Sequence, residues 1–170
     1  GSTSAAQLVA NAADNCNIAS ITASPLSFTC ADLGANTITV VATDGSGNTT
    51  TQTISVTVVD NLSPVITVSS VPVTVSLGAN GIGTLSVAQV VAQVVDNCTT
   101  SPSVTISPTT FTCADLGAQT VTIFAADANG NISTTTTVVT VVDQIAPVVV
   151  VSPANVTLPA CNATLTYNYQ

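Results

Sequence analysis

Phe28-Thr29-Cys30-Ala31-Asp32-Leu33-Gly34 returns, residue for residue, as Phe111-Thr112-Cys113-Ala114-Asp115-Leu116-Gly117, 83 positions later. The surroundings return with it. Asp14-Asn15-Cys16 matches Asp96-Asn97-Cys98, and Ser24-Pro25 matches Ser107-Pro108. Asp44 to Asn48 matches Asp127 to Asn131, and Val58-Val59-Asp60 matches Val141-Val142-Asp143. Gly1 to Gln7 also align with Gly83 to Gln89, so the chain starts in mid-repeat. A period of this length is too long for one coil of a solenoid and suits a string of small domains.

The strands can be read around these anchors. Thr37 to Ala42 alternates, which puts Ile38, Val40 and Ala42 on one face. Thr53 to Val58 alternates too, with Ile54, Val56 and Val58 inward. Asp44 to Asn48 is a Gly-rich hairpin turn between them. Gln7 to Ala13, Ile18 to Ala23, Val65 to Val68 and Val71 to Leu77 read as further strands, with Pro72 suited to a sheet edge. Leu85 to Val95 has a helical face, but its Val content favours a strand. Phe28 and Phe111 are expected in the core. The sum is an all-β fold, tandem immunoglobulin-like antiparallel β-sandwich repeats arranged as an extended rod. The boundaries expected are 1–63 for a repeat lacking its first strands, 64–146 for a complete one and 147–170 for the opening strands of a third. Pro64 and Pro147 end ladders and stiffen the linkers.

Composition limits function sharply. The 170 residues include eight Asp but no Glu, Lys, Arg or His, for a net charge of −8. All eight Asp fall in the repeated pairs, so each is expected to have a fixed structural task. An anionic chain without a basic side chain is no ligand for nucleic acid or an anionic membrane surface, and no apolar run reaches membrane-spanning length. Trypsin has no site to cut. Catalysis lacks material: no His or Lys can serve a Ser nucleophile, and without Trp no sugar platform accompanies the carboxylates. The expectation is not an enzyme.

Five cysteines remain. Cys16 and Cys30, then Cys98 and Cys113, stand 14 and 15 positions apart and read as one disulfide inside each repeat, in an oxidising compartment. Cys161 is the odd one, its partner expected outside the chain. Asp44 and Asp127 are expected to accept hydrogen bonds in their turns. The cofactor expectation is none, with one candidate: calcium held by Asp60 or Asp143 at the junctions and by Asp14 or Asp96 nearby. Asn48, Asn61, Asn97, Asn131, Asn155 and Asn162 stand in glycosylation sequons, a weak signal in a Thr-rich chain.

These motifs resemble the hyalin repeat (HYR), an immunoglobulin-like extracellular domain. The resemblance lies in the Asp-Asn-Cys, the Ser-Pro before Phe, the Leu-Gly ahead of a Thr-Val strand, the Asp-x-x-Gly-Asn turn and the closing Val-x-Asp-x-x-x-Pro. The Thr- and Val-rich wording is similar to repeats of giant SprB-type surface adhesins of gliding bacteria. The resemblance implies adhesion or filament building at the cell surface, extracellular and without membrane insertion. The function expected is a structural stalk whose partners are neighbouring repeats. The alternatives are a module binding surface glycans or proteins, and a subunit polymerising by strand donation through 147–170.

Overall fold

The computed structural model describes residues 1–149. The described residues are all-β, with short helical turns. The elements are α1 (Ala5–Leu8), β1 (Ile18–Ser24), a 3₁₀ turn η1 (Cys30–Asp32), β2 (Gly34–Asp44) and β3 (Thr49–Val58) in the first repeat. The second contains β4 (Val65–Val68), β5 (Val73–Ser76), β6 (Ile82–Thr84), α2 (Val87–Val90), β7 (Val91–Val95), β8 (Ser103–Ser107), β9 (Thr110–Thr112), η2 (Cys113–Asp115), β10 (Gly117–Ala126) and β11 (Ile132–Val142).

The second repeat packs a four-stranded sheet, in the order β5-β11-β10-β8, against the pairs β4-β7 and β6-β9. All pairings are antiparallel except β5 beside β11. Alternation fills the core: Val121 and Ile123 of β10 and Val139 of β11 are fully buried, while Thr136 and Thr140 face out. Phe111 is 1% exposed at the centre. Pro72 precedes β5, which is an edge strand, as a residue without a ladder donor requires. Gly83 lets β6 approach β5: a Cβ there would stand 2.7 Å from Val75 Cγ1.

The first repeat has the matching three-stranded sheet, β1-β2-β3. Its ends repeat the second in detail. Ser4 and Gln7 form the same capping box as Ser86 and Gln89, and the Ser2–Ser27 bridge occupies the place of β6–β9. Among the described residues nothing stands in the places of β4 and β5. Val56 and Val58 are therefore only partly buried where their counterparts Val139 and Val141 are closed over. An open groove of about 620 Å³ remains, lined by Leu8, Val9, Ile18, Ile21, Val40 and Ile54 among others.

Two local expectations are corrected. Gln7 to Ala13 forms no strand; its start is the helical turn α1. Leu85 to Val95 is split: the Ser86–Gln89 capping box closes one helical turn, and the β-branched residues after it continue as β7. Cys161 and most of the opening strands expected over 147–170 lie outside the described residues.

Candidate functional site

The main correction concerns the cysteines. Cys30 is bonded to Cys98, 68 residues away and in the next repeat, in place of a bond inside each repeat. Strand geometry explains why. Within the first repeat, β1 starts two residues after Cys16, ends six before Cys30 and pairs with β2 from Asp44 back to Thr39. The ten residues of β10 likewise separate Cys113, next to Gly117, from Cys98, whose neighbour Thr99 accepts a bond from Ala128 N. A strand of that length spans roughly 33 Å, far beyond the ~5.5 Å between the α-carbons of a disulfide. Each repeat thus carries its Phe-Thr-Cys at one pole and its Asp-Asn-Cys at the other. Among the described residues the Phe-Thr-Cys pole of the first meets the Asp-Asn-Cys pole of the second, and the bond crosses between them. Cys16 and Cys113 are exposed and free among the described residues.

Local hydrogen bonds present these cysteines. Thr29 caps η1 by accepting from Ala31 N, and Asp32 Oδ2 accepts from Thr29 N at 2.7 Å and from its hydroxyl at 2.9 Å. Those bonds hold the Asp32 carboxyl below the usual range, outweighing a small opposing effect of desolvation. Asp115 does the same for η2 through Thr112, with the same downward shift. At the other pole, Asp96 Oδ2 accepts from Cys98 N and Thr99 N, at 3.0 and 2.8 Å. Asp14 repeats this with Cys16 N and Asn17 N.

The joint also gathers carboxylates. Asp60, Asp96 and Asp127 each bring an oxygen to within 4.8 Å of the others, and all three are partly buried. Asp60 arrives from the strand leaving the first repeat, Asp96 from the loop carrying Cys98, and Asp127 from the β10–β11 turn. Asp60 Oδ1 accepts from Leu62 N and Asn97 Nδ2, and the Asp60 carbonyl accepts from Asn131 Nδ2. Asp127 Oδ1 accepts from Asn129 N and Asn131 N, its Oδ2 from Asn131 Nδ2. Desolvation works to raise the Asp127 carboxyl, but the Asn131 and turn-amide bonds outweigh it and leave it below the ordinary value. Asp60 Oδ2 and Asp96 Oδ1 are shut off from solvent without any hydrogen-bond donor. With no Lys, Arg or His in the chain, no side chain can neutralise this cluster.

The structure therefore brings together Asp60 and Asp96 of the expected calcium residues and adds Asp127. Asp14 and Asp143 are exposed and lie outside the cluster. Asp44 and Asp127 do hold their turns as expected. Sequence reading missed Asp127 as a member of the joint because its turn role was sufficient to explain it. It also treated Asn97 and Asn131 as sequons, whereas both donate to Asp60. Their recurrence beside Cys98 and in the Gly-Asn turn was the available signal.

No known family model matches the chain, and no curated protein is significantly similar to it. No helix among the described residues is long and apolar enough to cross a membrane.

Proposed function

We propose that the chain is a structural stalk segment of a secreted bacterial cell-surface adhesin or filament, without catalytic activity. In this reading the repeats are immunoglobulin-like sandwiches of the hyalin-repeat kind, strung as a rod outside the cell. The observation that carries it is the Cys30–Cys98 bond, which ties one repeat covalently to the next. A linker alone would leave two small β-domains free to swing, since short interdomain contacts permit relative motion. A bond across the joint, with Asn131 gripping the Asp60 carbonyl, fixes both direction and rotation. This is what a load-transmitting stalk needs and a soluble binding module does not.

The reading extends to a divalent cation, of which calcium is the fitting one. Hard oxygen donors from three carboxylates match its preferences. The two buried, unpartnered carboxylate oxygens are the structural reason to assign it here. Asp60, Asp96 and Asp127 would hold it, and it would offset their mutual repulsion at the point where the repeats meet. The stalk is tested by small-angle scattering of the oxidised chain with and without reductant. A stapled rod gives a narrow distribution of long particles that broadens and shortens on reduction. Two compact, freely tumbling bodies in both conditions would reject it.

A further inference from the structure

Three consecutive residues, Asp96-Asn97-Cys98, put the crossing disulfide and the carboxylate cluster on one loop. Cys98 carries the bond to Cys30, Asp96 is a member of the cluster, and Asn97 lies between them. The Asn97 side-chain amide donates to Asp60 Oδ1 at 3.1 Å and stands 3.1 Å from Cys98 Sγ. Its main-chain oxygen stands 3.3 Å from Cys30 Sγ. A single residue therefore touches a cluster carboxylate and both sulfurs.

The carboxylates divide their oxygens in the same way. Asp60 Oδ1 accepts from Asn97, and Asp96 Oδ2 accepts from Cys98 N and Thr99 N. The remaining oxygens, Asp60 Oδ2 and Asp96 Oδ1, are shut off from solvent without a donor. An enclosed carboxylate oxygen of this kind is costly unless a cation reaches it. The chain has no Lys, Arg or His, so that cation comes from solution. The same two side chains thus hold the Cys98 loop with one oxygen and offer the other to an ion. Cys30 and Cys98 are only partly buried, so the persistence of their bond is a matter of equilibrium and not of shielding.

We propose that the Cys30–Cys98 disulfide and the cation held by Asp60, Asp96 and Asp127 form one coupled unit, each stabilising the other. The proposal rests on the calcium reading of the joint and adds what regulates that site, the redox state of a bond. With the bond closed, Cys98 is anchored to the first repeat and its loop presents Asp96 to Asp60 before the ion arrives. Less ordering is then left for the ion to impose. With the ion bound, both carboxylates are fixed from the other side and Cys98 stays beside Cys30, so the dithiol gains less freedom on reduction. The short run from Asp60 to β4 at Val65 keeps Asp60 near the second repeat in either state, so reduction weakens the site without abolishing it. Linkage makes the two effects equal. The factor by which oxidation tightens calcium binding is the factor by which calcium shifts the disulfide equilibrium.

The covalent step is a thiol–disulfide exchange with glutathione, a small thiol. One glutathione thiolate attacks a protein sulfur, breaks the Cys30–Cys98 bond and forms a mixed disulfide and one protein thiolate. A second glutathione thiolate attacks the glutathione sulfur of the mixed disulfide and releases the other protein thiolate. One protein disulfide is reduced to two thiols, two glutathiones are oxidised to one glutathione disulfide, and the two glutathione thiol protons end on the protein thiols.

The test uses the full chain carrying Cys16→Ser, Cys113→Ser and Cys161→Ser, which leaves only the pair at the joint. It is equilibrated in glutathione buffers with calcium or with chelator, its thiols are trapped by alkylation, and the oxidised fraction is read by mass spectrometry. Calcium should move the midpoint about tenfold toward more reducing buffer, or about 30 mV for this two-electron couple. The calcium affinity measured by calorimetry should fall by the same factor on reduction. Asp96→Asn should abolish both shifts. Asn97→Ala keeps the three carboxylates and both cysteines, and should still bind calcium while the coupling shrinks. A midpoint indifferent to calcium, in a protein that binds it, overturns the coupling and leaves the cation reading standing. No calcium binding in either redox state overturns both. Undiminished coupling in Asn97→Ala would overturn the loop as the link.

Discussion

The side-chain amide of Asn131 donates to the main-chain oxygen of Asp60, 71 residues earlier, at 3.1 Å. Asn131 is itself held by Asp127, through Oδ1 to its backbone and Oδ2 to its side chain. The turn of the second repeat thereby grips the last residues of the first. Asn131→Ala should leave the first repeat's melting nearly unchanged, weaken the turn of the second and loosen the joint. The loss of its two part-buried side-chain hydrogen bonds, to the Asp60 carbonyl and to Asp127 Oδ2, is worth about 2 kcal/mol. Faster amide exchange at the junction, without a change in the core strands, is the result to look for.

Cys98→Ser should destabilise the joined state by about 4 kcal/mol in the chain-entropy account of a cross-link spanning this many residues. Cys16→Ser should change melting little, because Cys16 is exposed and free. The contrast between the two, measured by thermal unfolding at matched concentration, separates a bond across the joint from one inside the first repeat. Equal losses from both substitutions would point to the internal pairing.

Phe28 and Phe111 hold equivalent places but should respond differently. Phe111 is 1% exposed, and Phe111→Ala should cost about 3–5 kcal/mol in denaturant unfolding. Phe28 is only partly buried, with no covering strands over it among the described residues, so Phe28→Ala should cost clearly less. Gly83→Ala should cost about 1–3 kcal/mol through the Val75 contact. Gly1→Ala should be neutral.

Most of this fold was legible in the alternation of β2, β3, β10 and β11, whose period-two pattern reports directly on which face is buried. The repeat itself supplied the rest of the outline. The pairing of cysteines was not legible from spacing, since spacing measures loop length and not which pole a residue occupies. Counting the strand that lies between Cys16 and Cys30 would have separated them. The helical turn α2 was hidden because its four residues resemble strand residues in composition and only Ser86 and Gln89 betray the cap. Asp127 was hidden by a sufficient local role.

Acid should unfold the protein through its capping carboxylates. Asp32, Asp44, Asp115 and Asp127 all sit below their ordinary value of 3.8 in the fold. A carboxyl depressed in the folded state stabilises it fully above the unfolded value and loses that contribution as pH falls through the folded one. Melting should be flat around neutrality and drop below about pH 4. Replacing both Asp32 and Asp115 by Asn should lower melting at pH 7 and shrink the acid-induced drop. A profile unchanged by the double substitution would remove these caps from the account.

Calcium should raise the melting temperature, and the increase should disappear in Asp96→Asn. That variant keeps an acceptor oxygen for the Cys98 loop and removes the charge. An ion at a hundredfold excess over its dissociation constant stabilises by about 2.7 kcal/mol. Identical melting in calcium and in excess chelator would remove the cation from the joint.

The most direct measurement is digestion of the unreduced, thiol-blocked protein with a protease that cuts before Asp, followed by mass spectrometry. Trypsin is useless here, but the eight Asp residues divide the chain so that Cys16 and Cys30 share peptide 14–31, while Cys98 and Cys113 share peptide 96–114. The account predicts that these two peptides are linked to one another, with fragmentation placing the bond at Cys30 and Cys98 and the blocking group on Cys16. Two separate peptides, each closed by its own internal disulfide, would contradict it and return the cysteines to their separate repeats.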